Sequence, residues 1–275
     1  MSCWSRCLMK KIIKSIIHKF GYEIIKRDRG LPSSQTLYAN FSNLITAYEH
    51  IFQRVEKKNI SQNGLRTTLL ARGKGTRPPE AFYIISAIEQ TRNIEGDICE
   101  FGVAQGETSA LIANEIRETE KKLYLFDSFQ GLSQPTAEDT LKDDIFTLGQ
   151  MQAYYGTMKS SKNHVISRLQ DINFPTEQYV IHEGYIEDTL HLNLNLPKKI
   201  SFAYVDFDLY APIKITLEFL ESRTKCDAIV IIDDYDFFST GVKKAVDEFV
   251  QKFPHFLLFV PHLDFGHFAI LKRQH

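Results

Sequence analysis

Residues 227–236 read DAIVIIDDYD. The five apolar residues from Ala228 to Ile232 have the length and β-branched character of a strand buried on both faces. The run ends on adjacent carboxylates, Asp233 and Asp234, with Asp236 just beyond. Upstream, SFAYVDFDLY (201–210) repeats the pattern: an apolar run stops at Asp206, and Asp208 follows two residues on. Successive strand side chains point to opposite faces, so Asp233 and Asp234 converge only where the strand stops and the backbone turns. Ligands of an open parallel sheet gather at the carboxyl ends of its strands. A chain that twice leaves the core on carboxylates thus marks one end of a sheet as a candidate site.

The same texture extends outward. Short apolar runs recur at DICEFGV (97–103), KLYLFDSF (122–129), QYVIHEG (178–184), FLLFVP (256–261) and HFAILK (267–272). Helix-periodic text fills 107–119, 161–171, 211–223 and 240–252, and AFYIISAIEQTR (81–92) precedes the first run. Near-continuous apolar strands alternating with helices predict a three-layer α/β fold with a mostly parallel sheet. Only HLDFG (262–266) separates the last two runs, which is too short for a crossover, so they pair antiparallel. LLARGKGTRPPEAF (69–82) reads as a glycine- and proline-punctuated loop, with Pro78 and Pro79 where a first helical turn tolerates proline. Residues 131–160 are long for a connection in such a fold, which predicts a lid over the site.

With 275 residues, 43% hydrophobic and 24% charged, the chain can bury one large core. A net charge of -1 argues against a broad nucleic-acid face. The cysteines, Cys3, Cys7, Cys99 and Cys226, have no C-x-x-C spacing, which argues against a zinc knuckle or disulfide framework and fits a reduced, cytoplasmic setting. No run approaches the roughly 20 apolar residues of a membrane span, and the N-terminus lacks the apolar core of a signal peptide. LMKKIIKSIIHKF (8–20) has an apolar stripe and a basic opposite face. It reads as an arm packed on its own domain or on a partner in a homodimer or higher homo-oligomer, or as a peripheral membrane helix. The expected division is an N-terminal extension over 1–64, serving as an oligomerisation arm or a substrate cap, and a main domain over 65–275.

Two sets of residues carry chemistry. The first strand leads through Glu100 into Gly102 and Gly106, then into a helix. Glycines there allow close approach to the backbone, and the helix N-terminus offers unpaired N–H groups. The spacing G-x-x-x-G is neither the dinucleotide pattern nor a P-loop. Asp127, 25 residues after Gly102, ends the second strand where an acid can hold ribose hydroxyls. A nucleoside cofactor without pyrophosphate fits, with S-adenosylmethionine (SAM) the candidate; a plain tight turn is the other reading. Glu100 favours function, because a carboxylate inside a core strand needs a reason. The second set is Asp206, Asp233 and Asp234. Crowded carboxylates repel unless a cation neutralises them, and oxygen-only ligands suit Mg²⁺. Asp206 could also accept a proton from a metal-bound hydroxyl, giving a methyl ether. Solvated loop acids or helix caps are the plainer reading, which suits Asp236 and Asp208; Asp208 could instead bond backbone or orient Tyr210.

GDICEFGVAQGETS (96–109), LYLFDSFQGL (123–132), GYIEDTL (184–190), VDFDLY (205–210) and IIDDY (231–235), in that order, resemble the TylF/MycF-type macrocin O-methyltransferase family over about 65–272. The resemblance implies a class I SAM-dependent methyltransferase fold, a seven-stranded sheet in the order 3-2-1-4-5-7-6, and Mg²⁺-assisted methylation of a sugar hydroxyl or other small-molecule acceptor. It implies that Gly102, Val103, Ala104 and Gly106, with Thr108 and Ser109, hold the methionine portion. It assigns Asp127 and Ser128 to ribose and the adenine edge, Gly184 and Tyr185 to adenine, and Thr76 to the pocket wall. Asp206, Asp233 and Asp234 match the metal ligands, and Asp206 the catalytic base. SQP follows SFQGL where the family has LP-x-P, and His267 replaces a glutamine-like residue. His267 or His262 could hold substrate or assist proton transfer, or be simply hydrogen-bonded. The remaining alternatives are a nucleotide-cofactor oxidoreductase and a non-catalytic SAM-binding assembly partner.

Overall fold

Seven strands form where the apolar runs lie, because those runs can be buried on both faces. The computed structural model describes residues 64–73, 76, 78–192, 195–262 and 266–275, all within one compact unit. The strands are β1 (Asp97–Phe101), β2 (Leu123–Asp127), β3 (Tyr179–Glu183), β4 (Ile200–Val205), β5 (Thr224–Ile232), β6 (Phe256–Phe259) and β7 (Ala269–Arg273). They make one sheet in the order β3-β2-β1-β4-β5-β7-β6. The first five are parallel, and β7 runs antiparallel to β5 and β6.

The helices are α1 (Gly64–Arg72), α2 (Pro78–Gln90), α3 (Glu107–Ile116), α4 (Lys162–Asp171), α5 (Ile186–Leu192), α6 (Tyr210–Arg223) and α7 (Thr240–Lys252). Residue parity divides the core. Cys99, Phe101, Ala203, Val205, Val230 and Ile232 pack with Ile213, Leu217 and Val246 of α6 and α7. Ile98, Leu125, Phe202, Tyr204, Ile229 and Ile231 pack with Ile84 and Ile88 of α2, Ala113 of α3 and Leu169 of α4. Central strands such as β4, buried at every position, are mostly apolar because both faces are covered.

Two details differ from the sequence reading. Leu69–Arg72 belong to α1 rather than to a loop, and Gly73 ends the helix with its N–H 2.9 Å from Leu69 O. Tertiary contacts override the breakers: Leu70 packs on Ala81, Ile85 and Leu111, and Arg66, 2% exposed, grips Glu115 of α3 with Nε 2.7 Å from Oε1. The short α5 was also not expected as a helix. The extension over 1–64 lies outside the described residues except for Gly64, and so do its dimer and membrane readings. Among the described residues no helix is long and apolar enough to cross a membrane.

The long segment after β2 is pinned to the starts of α6 and α7. Asp139 accepts from Thr136 N and Tyr210 N, both at 2.8 Å. Leu141 bridges Ser239, and Lys142 N donates to Phe238 O at 2.9 Å. Tyr154 is fully buried and donates to Asp144 Oδ1 at 2.7 Å.

Candidate active site

Ladder hydrogen bonding continues one step past the strand ends and brings the site residues together. Asp206 N donates to Phe101 O at 2.7 Å, and Asp233 N donates to Val205 O at 2.8 Å. Asp206 therefore stands beside Gly102, and Asp233 beside Asp206. Gly102 has φ +83°, and a Cβ there would lie 1.8 Å from Asp206 O. Only glycine meets both conditions.

Asp127 holds the glycine turn. Its Oδ2 accepts from Val103 N at 2.7 Å and Ala104 N at 2.8 Å, and its Oδ1 accepts from Phe129 N at 2.6 Å. A carboxylate has about four lone-pair sites, so Oδ1 keeps one open while Oδ2 is saturated. Ser128 closes the next turn, its hydroxyl donating to Gly131 O at 2.9 Å. Gly106, also left-handed at φ 77°, caps α3 without a side-chain acceptor. Thr76 reaches this helix start through its hydroxyl contact with Thr108. Gly184 N donates to Asp127 O at 3.0 Å, which brings the end of β3 alongside.

Glu100 is 1% exposed, and neither of its oxygens meets a hydrogen-bond partner in good geometry, although the Ser109 hydroxyl is its neighbour. Burial raises its pKa to about 8, Asp127 adds to the rise and Ser109 opposes it. An acid whose folded pKa lies above its unfolded value stabilises the fold at low pH and loses that contribution as pH rises towards the folded pKa. Between pH 5 and pH 8 the wild-type melting temperature should therefore fall by several degrees more than that of Glu100→Gln. Parallel melting curves for the two proteins across that range would show that Glu100 is not the group responsible.

A cavity joins the two sets of residues. Gly102, Ala104, Asp127, Ser128, Tyr185, Asp206 and Asp208 all line it. Thr76, Glu100, Val103, Gly106, Thr108, Ser109, Gly184, Asp233 and Asp234 are not among its lining residues. Val103 packs in the core and contributes its backbone. Met158 and Glu187 also line the cavity, and Glu187 Oε2 is buried without a partner. Neither was read as a site residue: Met158 is brought in by the long segment, and Glu187 sits in a helix that was not expected.

The acids repel one another. Burial drives the Asp206 pKa well above the usual carboxylate range, and Asp233, Asp234, Glu80 and Glu100 push it further. Asp208 rises to about 7 through burial and then Asp206, opposed by a hydrogen bond with Asp234. Asp233 rises to about 6, again mainly through burial, with Asp234 next. The charges acting most strongly on these groups are carboxylates. Asp208 and Asp234 have left-handed backbones, φ 60° and 52°, which turn the chain sharply after each strand. The oxygens of Asp206, Asp233 and Asp234 do not all fall within 4.8 Å of one another; among the described residues Cys226, Asp227 and His275 meet that condition, at the surface. Asp227 there already pairs with Lys272 at 2.9 Å. The donor set at the strand ends is oxygen-only and crowded, which fits a hard cation by its chemistry. His267 stacks on Phe237 with ring centroids 4.5 Å apart.

The model of the family described as macrocin-O-methyltransferase (TylF) matches residues 82–254. The chain belongs to the macrocin O-methyltransferase family. It is thus a SAM-dependent O-methyltransferase, and this excludes the oxidoreductase alternative. The methyltransferase resembles solved structures in fold. The O-methyltransferase NovP is 19% identical with TM-score 0.61, covering 88% of this chain and 100% of its own. CalS11, a calicheamicin methyltransferase, is 20% identical with TM-score 0.58, covering 91% and 98%. TomG from Streptomyces achromogenes, solved with SAM, is 11% identical with TM-score 0.52, covering 89% and 100%. Among curated proteins, none matches the chain significantly.

Proposed function

We propose that the methyltransferase acts on a hydroxyl of a sugar or another polyhydroxylated acceptor and uses Mg²⁺ held by Asp206, Asp233 and Asp234. One observation carries this reading. The acids stand at the same strand ends as the glycine turn, and Asp206 and Asp208 share a cavity wall with Gly102 and Asp127. CalS11, described as a TDP-rhamnose 3'-O-methyltransferase, supports the acceptor class by analogy of fold.

The turn from Gly102 through Val103 and Ala104 to Gly106, with Thr108, Ser109 and Thr76, would hold the methionine part of SAM. Glu100, buried below the turn, offers unpartnered oxygens on that side. Asp127 and Ser128 would take the ribose and Gly184 and Tyr185 the adenine. A bound Mg²⁺ would lower the pKa of the acceptor hydroxyl. Asp206 would take the hydroxyl proton. Residues Leu132, Ser133 and Met158 of the long segment wall the cavity and help exclude water. The products are a methyl ether and S-adenosylhomocysteine. A cytoplasmic homodimer joined through the extension over 1–64 belongs to the same proposal, drawn from the cysteine usage and the amphipathic segment 8–20.

The test is methyl transfer from labelled SAM to a panel of sugars and nucleotide sugars, with Mg²⁺ and with EDTA. Label should enter a sugar hydroxyl and cease with EDTA. Undiminished transfer in EDTA would remove the metal from the reading; label entering phenols but no sugar would remove the acceptor class.

A further inference from the structure

The residue parity that divides the core also sets a third element against the acids. Phe202 and Tyr204 of β4, and Ile229 and Ile231 of β5, face the layer that contains α2. Asp233 continues that parity one step past β5. Glu80 lies in the first turn of α2, four residues before the inward-facing Ile84, and so on the same stripe. Glu80 is 2% exposed and Tyr204 1% exposed. The Tyr204 hydroxyl is 2.5 Å from Glu80 Oε1 and 2.9 Å from Asp233 Oδ2. The phenol has one hydrogen to donate, so it bridges the two acids when one of them carries a proton and donates to the phenol oxygen. Asp233 Oδ1, in contrast, takes the Asp234 amide at 2.9 Å.

A buried acid and a buried phenol cost desolvation that phenylalanine and an aliphatic residue would not. The pair is set directly behind one of the three acids assigned to the cation. Ligands of metal sites are commonly held by such outer partners, whose loss lowers metal affinity about 10–100-fold.

We propose that Glu80 and Tyr204 are positioning residues for a divalent cation: from behind, they fix the orientation of the Asp233 carboxylate, which would hold the ion. The proposal rests on the cation reading above.

The experiment uses the full chain with SAM and Mn²⁺ as a spin probe, following unbound Mn²⁺ by electron paramagnetic resonance. Asp233→Asn should abolish binding. Tyr204→Phe and Glu80→Ala should each weaken it about tenfold, while Glu80→Gln, which keeps an oxygen for the phenol, stays within about threefold. Calorimetric SAM affinity should stay within about twofold in all of them, which shows that each variant is folded. Should Glu80→Ala fail to fold, Tyr204→Phe, which keeps the ring and its volume, decides alone. Wild-type Mn²⁺ affinity in Tyr204→Phe, with binding lost in Asp233→Asn, overturns the positioning role and leaves the cation site standing. A wild-type enzyme that binds no Mn²⁺ overturns both.

Discussion

Asp206→Asn should lower the methyl-transfer rate by about 10³-fold, the range expected for loss of a positioned general base, while SAM affinity stays within about threefold. The backbone of Asp206 does the structural work at this point, through its N–H to Phe101 O and its carbonyl against Gly102. Asparagine keeps both. It loses the proton-accepting oxygen and the negative charge offered to a cation. It also relieves repulsion, because Asp233, Asp234, Glu80 and Glu100 all oppose ionisation of Asp206. The variant should therefore melt no lower than wild type, a pattern typical of residues kept for chemistry at a cost in stability. Turnover with labelled SAM and calorimetric SAM binding check this together. Undiminished turnover would take Asp206 out of the chemistry; loss of both activities would make its role structural.

The second large effect falls on backbone. Gly102→Ala would push a methyl group to 1.8 Å from Asp206 O and 2.7 Å from Asp206 C. Both are main-chain atoms at the junction of β1 and β4, and no flexible side chain can yield. The left-handed φ of +83° adds strain. A cost of about 3 kcal/mol or more is expected, which lowers the melting temperature by about 10 °C in a domain of this size. SAM binding should fall as the turn shifts. Gly149 makes the control. It has almost the same φ, +80°, but a Cβ there meets nothing within 4 Å. Gly149→Ala should cost only about 1 kcal/mol of backbone strain. Equal melting temperatures for the two variants would show that packing against Asp206 is not what requires glycine at 102.

Much of the fold is legible in the sequence because burial acts locally. Apolar runs such as YLF in β2 and AIVII in β5 can only be strands covered on both sides, and each is found where its run lies. The acids at the ends of β4 and β5 are legible for a related reason: a carboxylate that ends a core strand must sit at the sheet's rim. The family resemblance supplied the strand order, including β7 between β5 and β6, which periodicity alone does not contain.

Other features were decided only when helices packed on the sheet. Asp127 read as a ribose acid, yet its Oδ2 is occupied by two backbone amides of the glycine turn. Glu80 drew no reading from the sequence. Its partner Tyr204 is 124 residues away, and only the docking of α2 over β4 joins them. Asp208 read as a loop acid, but a left-handed backbone turns it to Asp234 and the cavity wall. Composition, spacing and periodicity report what one segment needs from its surroundings. Which charge faces which, and which lone pairs remain for a ligand, depends on contacts between segments far apart in the chain, and those exist only once the layers have closed.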